Sequence, residues 1–153
     1  MNAVIEEINN TRVARGTLRI WWIGQEGFVL KSSKRIVYID PYLGTYVERI
    51  TKGKPNEHVR INSAPMQPEE VDHADLVLCT HDHIDHIDPE SIPIIAERSR
   101  RAHFVVPECA RETMLGFGIA ADRLHTLRGN DSLDWEELRV RAVPAKHDQL
   151  DED

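Results

Sequence analysis

The stretch "LVLCTHDHIDHIDPES", residues 76–91, runs from apolar residues into three histidines and two aspartates, and then into what reads as a helix start. The five polar groups all fall between His81 and His86. His81 and His83 are two residues apart, so in a chain leaving a strand they point to the same side. Asp85 and His86 follow where the chain must turn. In α/β proteins, a loop between the C-terminal end of a buried strand and a helix N-terminus is a common place for a site. Neutral imidazole and carboxylate are ligands that suit zinc, manganese and iron. His81, His83, Asp85 and His86 together have enough donors for two adjacent ions. The bland alternative is a solvated turn in which each residue is ordinary. That density of histidine at the mouth of an apolar run weighs against it.

Outward from the motif, the chain divides into short apolar segments separated by turn signals. "TLRIWWIG" (17–24) alternates, with Leu18, Ile20 and Trp22 on one side, the pattern of a half-buried strand. Gly24 and Gly27 bracket a tight turn, and "FVLKS" (28–32) reads as the returning strand of a hairpin. "RIVYID" (35–40), "ADLVLCT" (74–80), "AHFVVP" (102–107) and "LRVRAVPA" (138–145) supply further strands. The run before His81 is apolar enough to be buried on both faces. Asp88 as N-cap with Pro89 at the first helical position predicts a helix through "ESIPIIAERSRR". A second helix is expected over 108–118, ended by glycine. Residues 44–73 are polar and proline-punctuated, and read as one long loop. The expected class is α/β: antiparallel strands first, then alternating strands and helices.

Bulk properties bound the function. A chain of 153 residues makes a single domain. Hydrophobic content of 41% and charged content of 29% are ordinary for a globular protein. The net charge of −7 repels phosphate backbones and argues against nucleic acid. A small, anionic substrate stays compatible, because a bound cation would dominate the local field. Neither a membrane-length apolar stretch nor a signal peptide is visible. The two cysteines, Cys79 and Cys109, have no CxxC spacing, which fits a cytoplasmic setting.

"THDHIDH" resembles the HxHxDH signature of the metallo-β-lactamase fold superfamily. The segments "GTLRIWWIGQEGFVLKS", "IDPYL" and "LCTHDHIDHID" are similar, in this order, to the branch of L-ascorbate-6-phosphate lactonase and related hydrolases. The likeness runs from about Gly16 to His147. It implies an αββα sandwich, of which this chain would carry the N-terminal half and the strand bearing a third histidine. It implies that His81, His83 and His147 bind a first divalent metal and that Asp85 and His86 belong to a second, with zinc or manganese ahead of iron. Asp40, ending "RIVYID", would brace the metal loop. The implied reaction is attack by a metal-bound hydroxide on a small ester, lactone or phosphorylated sugar-acid derivative, with Asp85 orienting the nucleophile. His58, His73, His103 and His125 lack a ligand-like setting, and Cys79 reads as core.

The family's bridging aspartate and last histidine come from a second half, whereas this sequence stops at "DQLDED". The expectation is therefore a truncated chain, completed by a missing C-terminal half or by homo-oligomerisation. The rival expectation is a non-catalytic half-domain that binds at most one metal and pairs with a partner chain.

Overall fold

Glycine decides how the first hairpin sits. β1 (Arg19–Gly24) and β2 (Gly27–Lys31) are antiparallel, with Trp22 opposite Phe28 and Ile20 opposite Leu30. The register shifts between Trp22 and Gly24, where Gly24 takes φ +98°, a conformation that side chains resist. A Cβ at Gly27 would lie 2.9 Å from Ile23 Cγ1 and 3.1 Å from the Asp40 carbonyl. Only glycine lets the hairpin turn lie this close to the end of the third strand.

The computed structural model describes residues 2–144. β3 (Ile36–Ile39) pairs antiparallel to β2, then β4 (Leu76–Leu78), β5 (His103–Pro107) and β6 (Leu124–Leu127) add in parallel. The result is a six-stranded sheet in the order β1-β2-β3-β4-β5-β6. Ile23, Val29, Tyr38, Val77, Phe104 and Val106 face the helices and form the main core. Against them pack Ile5 and Ile8 of α1 (Ala3–Asn10), Ile92 and Ile95 of α3 (Ile92–Arg98), and Met114 of α4 (Arg111–Gly116). α1 was not legible as a helix. It is capped by Asn2, whose side chain accepts from Val4 N and Ile5 N.

The opposite face is covered only in part. A separate hairpin, β7 (Ser132–Trp135) and β8 (Leu138–Arg141), lays Leu133, Trp135, Leu138 and Val140 over Val37, Leu76 and Val105. The Arg35 guanidinium sits 5.3 Å from the Trp135 ring and pairs with Asp75 and Glu136, which pins the hairpin to the sheet. Beyond the hairpin, Leu18, Ile20, Trp22 and Phe28 are exposed, at 58, 62, 54 and 38%. β1 alternates as its sequence predicts, but the covered side is the one opposite Leu18, Ile20 and Trp22. α1 packs on the Trp21 and Ile23 face, with Trp21 Nε1 donating to Glu7. Both faces of the strand are apolar, so periodicity alone could not choose between them.

Two further expectations change. The helix after the histidine motif begins at Ile92 and not at Pro89, with Ser91 as N-cap and Pro93 in the first turn. Asp88 caps the preceding turn instead, accepting from Glu90 N and Ser91 Oγ. The same two side chains also accept the backbone N–H groups of Leu43 and Gly44, so they serve the loop after β3. The 44–73 stretch is not one long loop. It contains α2 (Tyr46–Thr51) and a 3₁₀ turn at Pro68–Glu70. Within it Arg60 donates to the Tyr42 carbonyl, pairs with Glu48 and lies 4.6 Å from the Tyr42 ring.

Candidate metal centre

Three strand ends meet at one edge of the sheet. β3 ends at Ile39, and Asp40 follows with φ +43°, a left-handed conformation that Asp and Asn tolerate better than most residues. Asp40 is 3% exposed. Its Oδ1 accepts from Thr80 N at 2.8 Å, and its Oδ2 accepts from Thr80 Oγ1 at 2.8 Å and approaches His86 Nδ1 at 3.0 Å. These contacts tie the end of β3 to the start and finish of the histidine loop, as expected of a brace. They also orient His86: with Nδ1 held by Asp40, Nε2 is the nitrogen left for a metal.

The loop folds back on itself. His86 N and Ile87 N both donate to the His83 carbonyl, at 3.0 and 2.8 Å. The imidazole of His81 then lies 4.5 Å from that of His83 and 3.8 Å from that of His86, measured between ring centres. Burial, reinforced by His86 and His83, pushes the His81 pKa below its ordinary value. Neutral imidazole is the ligand form. At His86 burial pulls the same way, but the hydrogen bond and charge of Asp40, with Glu26 and Asp85 behind it, outweigh burial and leave the pKa raised.

The structure adds a residue that the sequence did not single out. Glu26, in the Gly24–Gly27 turn, presents a carboxylate oxygen that lies with one atom each of Asp85 and His86 inside a 4.8 Å cluster. Its Oε1 is buried and has no hydrogen-bond partner. Burial raises its pKa, with Asp85 and Asp40 adding to the effect and His86 opposing it. A buried, unsatisfied carboxylate oxygen among imidazole and carboxylate donors fits a divalent cation. The sequence signal was slight: one acid between two turn glycines, far along the chain from the histidines it meets.

Of the expected ligands, His81, His83, Asp85 and His86 share this edge, and His147 lies outside the described residues. The other histidines are engaged elsewhere. His58 contacts Gln25, His73 meets the Tyr38 hydroxyl at 2.8 Å, and His103 meets His125 at 3.0 Å. Cys79 is a core residue whose thiol is pushed up by burial, then by Asp40. A cavity of about 460 Å³ opens beside Thr80, His81 and Asp82, floored by Leu78 and Val105, with Arg128 and Arg141 among its walls.

The chain and its fold have counterparts among known proteins. At 27% identity the chain is similar to the probable L-ascorbate-6-phosphate lactonase UlaG of Salmonella heidelberg, over 92% of this chain and 44% of that protein. It therefore spans less than half the length of the curated relatives it matches. Among solved structures, a metallo hydrolase of the archaeon Ignicoccus hospitalis superposes with a TM-score of 0.57 at 18% identity, covering 89% of this chain and 52% of that one. An isothiocyanate hydrolase from Delia radicum gut bacteria gives 0.57 at 18%, covering 76% and 43%. These two share the fold. The family model described as the beta-lactamase superfamily domain matches residues 19–153, nearly the whole chain, and the protein belongs to that family, with the N-terminal half of a metallo-β-lactamase-like fold.

Proposed function

We propose that this chain supplies the metal-binding half of a hydrolase acting on a small ester, lactone or phosphorylated sugar-acid derivative. The observation that carries this reading is the convergence of His81, His83, Asp85, His86 and the unsatisfied Glu26 at one sheet edge. His81 and His83, with His147, are the residues for a first divalent ion, and Asp85 and His86 for a second. Zinc or manganese suits this donor set, with iron behind them. A divalent ion supplies one thing there: it lowers the pKa of water so that hydroxide is available near neutrality. The protein does the rest. Asp85 would orient the nucleophilic water. Asp40 fixes the tautomer and ring angle of His86, and Thr80 locks the loop to β3. The cavity beside His81 supports a small substrate, and the guanidinium groups of Arg128 and Arg141 in its walls support an anionic one.

Two further parts belong to the same proposal. The bare Leu18, Ile20, Trp22 and Phe28 strip calls for a covering layer, because an exposed apolar face of this kind marks an interface. Relatives more than twice as long support a C-terminal half of the same protein as that layer. A cytoplasmic setting is favoured by a chain with only two cysteines, one of them a buried core thiol. No helix of the described residues is long and apolar enough to cross a membrane.

The same bare strip also favours the rival reading, a non-catalytic half-domain that pairs with a partner chain. Metal analysis separates the two. The hydrolase reading expects two equivalents per chain and turnover of model lactones or phosphate esters, lost in Asp85→Asn while the first ion stays bound. One equivalent and no turnover with the C-terminal half present would favour the half-domain. No bound metal at all would overturn the hydrolase reading and leave the half-domain.

A further inference from the structure

We propose that Glu26 is a direct cation ligand which, with Asp85 and His86, completes a three-residue site that survives removal of His81 and His83. The inference rests on the metal-binding reading above and goes beyond it, because none of the expected ligands came from the first hairpin.

Three observations support it. First, Glu26 is held in place. Trp22 Nε1 donates to the Gln25 carbonyl at 2.8 Å, the Gln25 side chain contacts His58 of the 44–73 segment, and Gly27 brings the turn against the Asp40 carbonyl. An acid in an ordinary hairpin turn would swing in solvent. This one is fixed towards the histidine loop, so little ordering entropy remains to be lost on binding an ion. Second, Oε1 is buried and makes no hydrogen bond, an arrangement that is costly unless another group satisfies it. Third, the local charge is unbalanced. Glu26, Asp85 and Asp40 bring three carboxylates to His86, and Asp40 already takes the Nδ1 side of that ring. A cation between Glu26, Asp85 and His86 Nε2 would offset the excess.

A bland account would make Glu26 the ion-pair partner of His86. The structure gives His86 an ion pair with Asp40, and leaves the Glu26 oxygen buried without one. A divalent ion satisfies both Glu26 and Asp85, which a proton on His86 cannot do.

The test uses the full 153-residue chain, stripped with chelator and titrated with Zn(II) by calorimetry and with Co(II) by visible absorption. Four proteins are compared: wild type, Glu26→Gln, Glu26→Asp, and His81→Ala with His83→Ala. Glu26→Gln keeps the shape of the side chain and removes the charge. It is expected to lose one equivalent, or to weaken that equivalent at least tenfold, and to change the Co(II) spectrum. Glu26→Asp should recover part of the affinity, and the double histidine variant should keep this equivalent. Thermal melts in chelator check that each variant folds, and a melt unchanged from wild type assigns the loss to the ligand. If wild type binds and Glu26→Gln binds equally, Glu26 is not a ligand and only this proposal falls. If the double histidine variant loses every equivalent, the three-residue site does not stand by itself and the proposal is overturned. If wild type binds no ion, the metal reading falls with it.

Discussion

Replacing Asp40 by alanine removes the side chain that joins β3 to the histidine loop, and its cost can be worked out contact by contact. The Thr80 N–H at 2.8 Å loses a buried acceptor, worth about 1–3 kcal/mol when left unmet. The Thr80 hydroxyl and the His86 ring each lose a partner, at about 1 kcal/mol apiece. Alanine must also adopt φ +43°, which adds about 1 kcal/mol. The sum is about 4–6 kcal/mol, which for a chain of this size corresponds to a melting-point drop of roughly 8–24 °C. Asp40→Asn keeps the backbone conformation and an acceptor for Thr80 N, so its cost should stay near 1–2 kcal/mol. Urea unfolding in chelator measures both. Asp40→Ala should also weaken metal binding by about 10–100-fold, since His86 loses its orientation. A loss under about 1 kcal/mol for the alanine variant, or equal losses for alanine and asparagine, would refute the assigned role.

Other perturbations test the remaining framework. Gly44→Ala places a Cβ 2.7 Å from Asp88 Oδ2 and from Glu90 Cβ, and is expected to cost about 1–3 kcal/mol by urea unfolding. Leu18→Thr with Ile20→Thr should leave stability within about 0.5 kcal/mol per site while reducing self-association, read by sedimentation velocity. Unchanged association would show that the strip is not sticky. Burial first lowers the pKa of both His73 and His125, so the stability they contribute is full above the ordinary histidine value of 6.5 and is lost as pH falls through their folded values. The melting point should therefore drop on acidification from about pH 7.5 to 5, and less steeply in His73→Gln with His125→Gln. His86, raised in pKa, works in the opposite sense in both proteins and cancels in the comparison.

What was legible in the sequence was whatever is encoded locally. The apolar run into His81 gave β4 and its loop, and the Asp-Pro step after "RIVYI" placed Asp40 at a strand end. Glycines marked the first turn and, at Gly118 with φ +81°, the end of the α4 region. What was missed depends on tertiary contact. β6 is four residues, Leu-His-Thr-Leu, with no pattern of its own, and exists because β5 offers it an open edge. α2 is a six-residue helix in a polar segment, too short to show a period. The start of α3 moved because Asp88 and Ser91 bond the loop after β3, a partnership across the fold. Glu26 escaped for the same reason: its neighbours are distant in the chain and close only through the sheet.

β3 is the seam of that sheet, antiparallel to β2 on one side and parallel to β4 on the other. Its two borders have different folding demands. The β1-β2-β3 meander closes through short loops, whereas the border with β4 waits for a long excursion of chain to return, and non-local pairing is the slow step in reaching a native topology. The candidate metal-binding edge straddles that seam, drawing Glu26 from the early side and Asp85 with His86 from the late side. Ion-binding competence should accordingly appear only when the slowest strand has docked, which would make metal capture a natural stopwatch for the completion of folding.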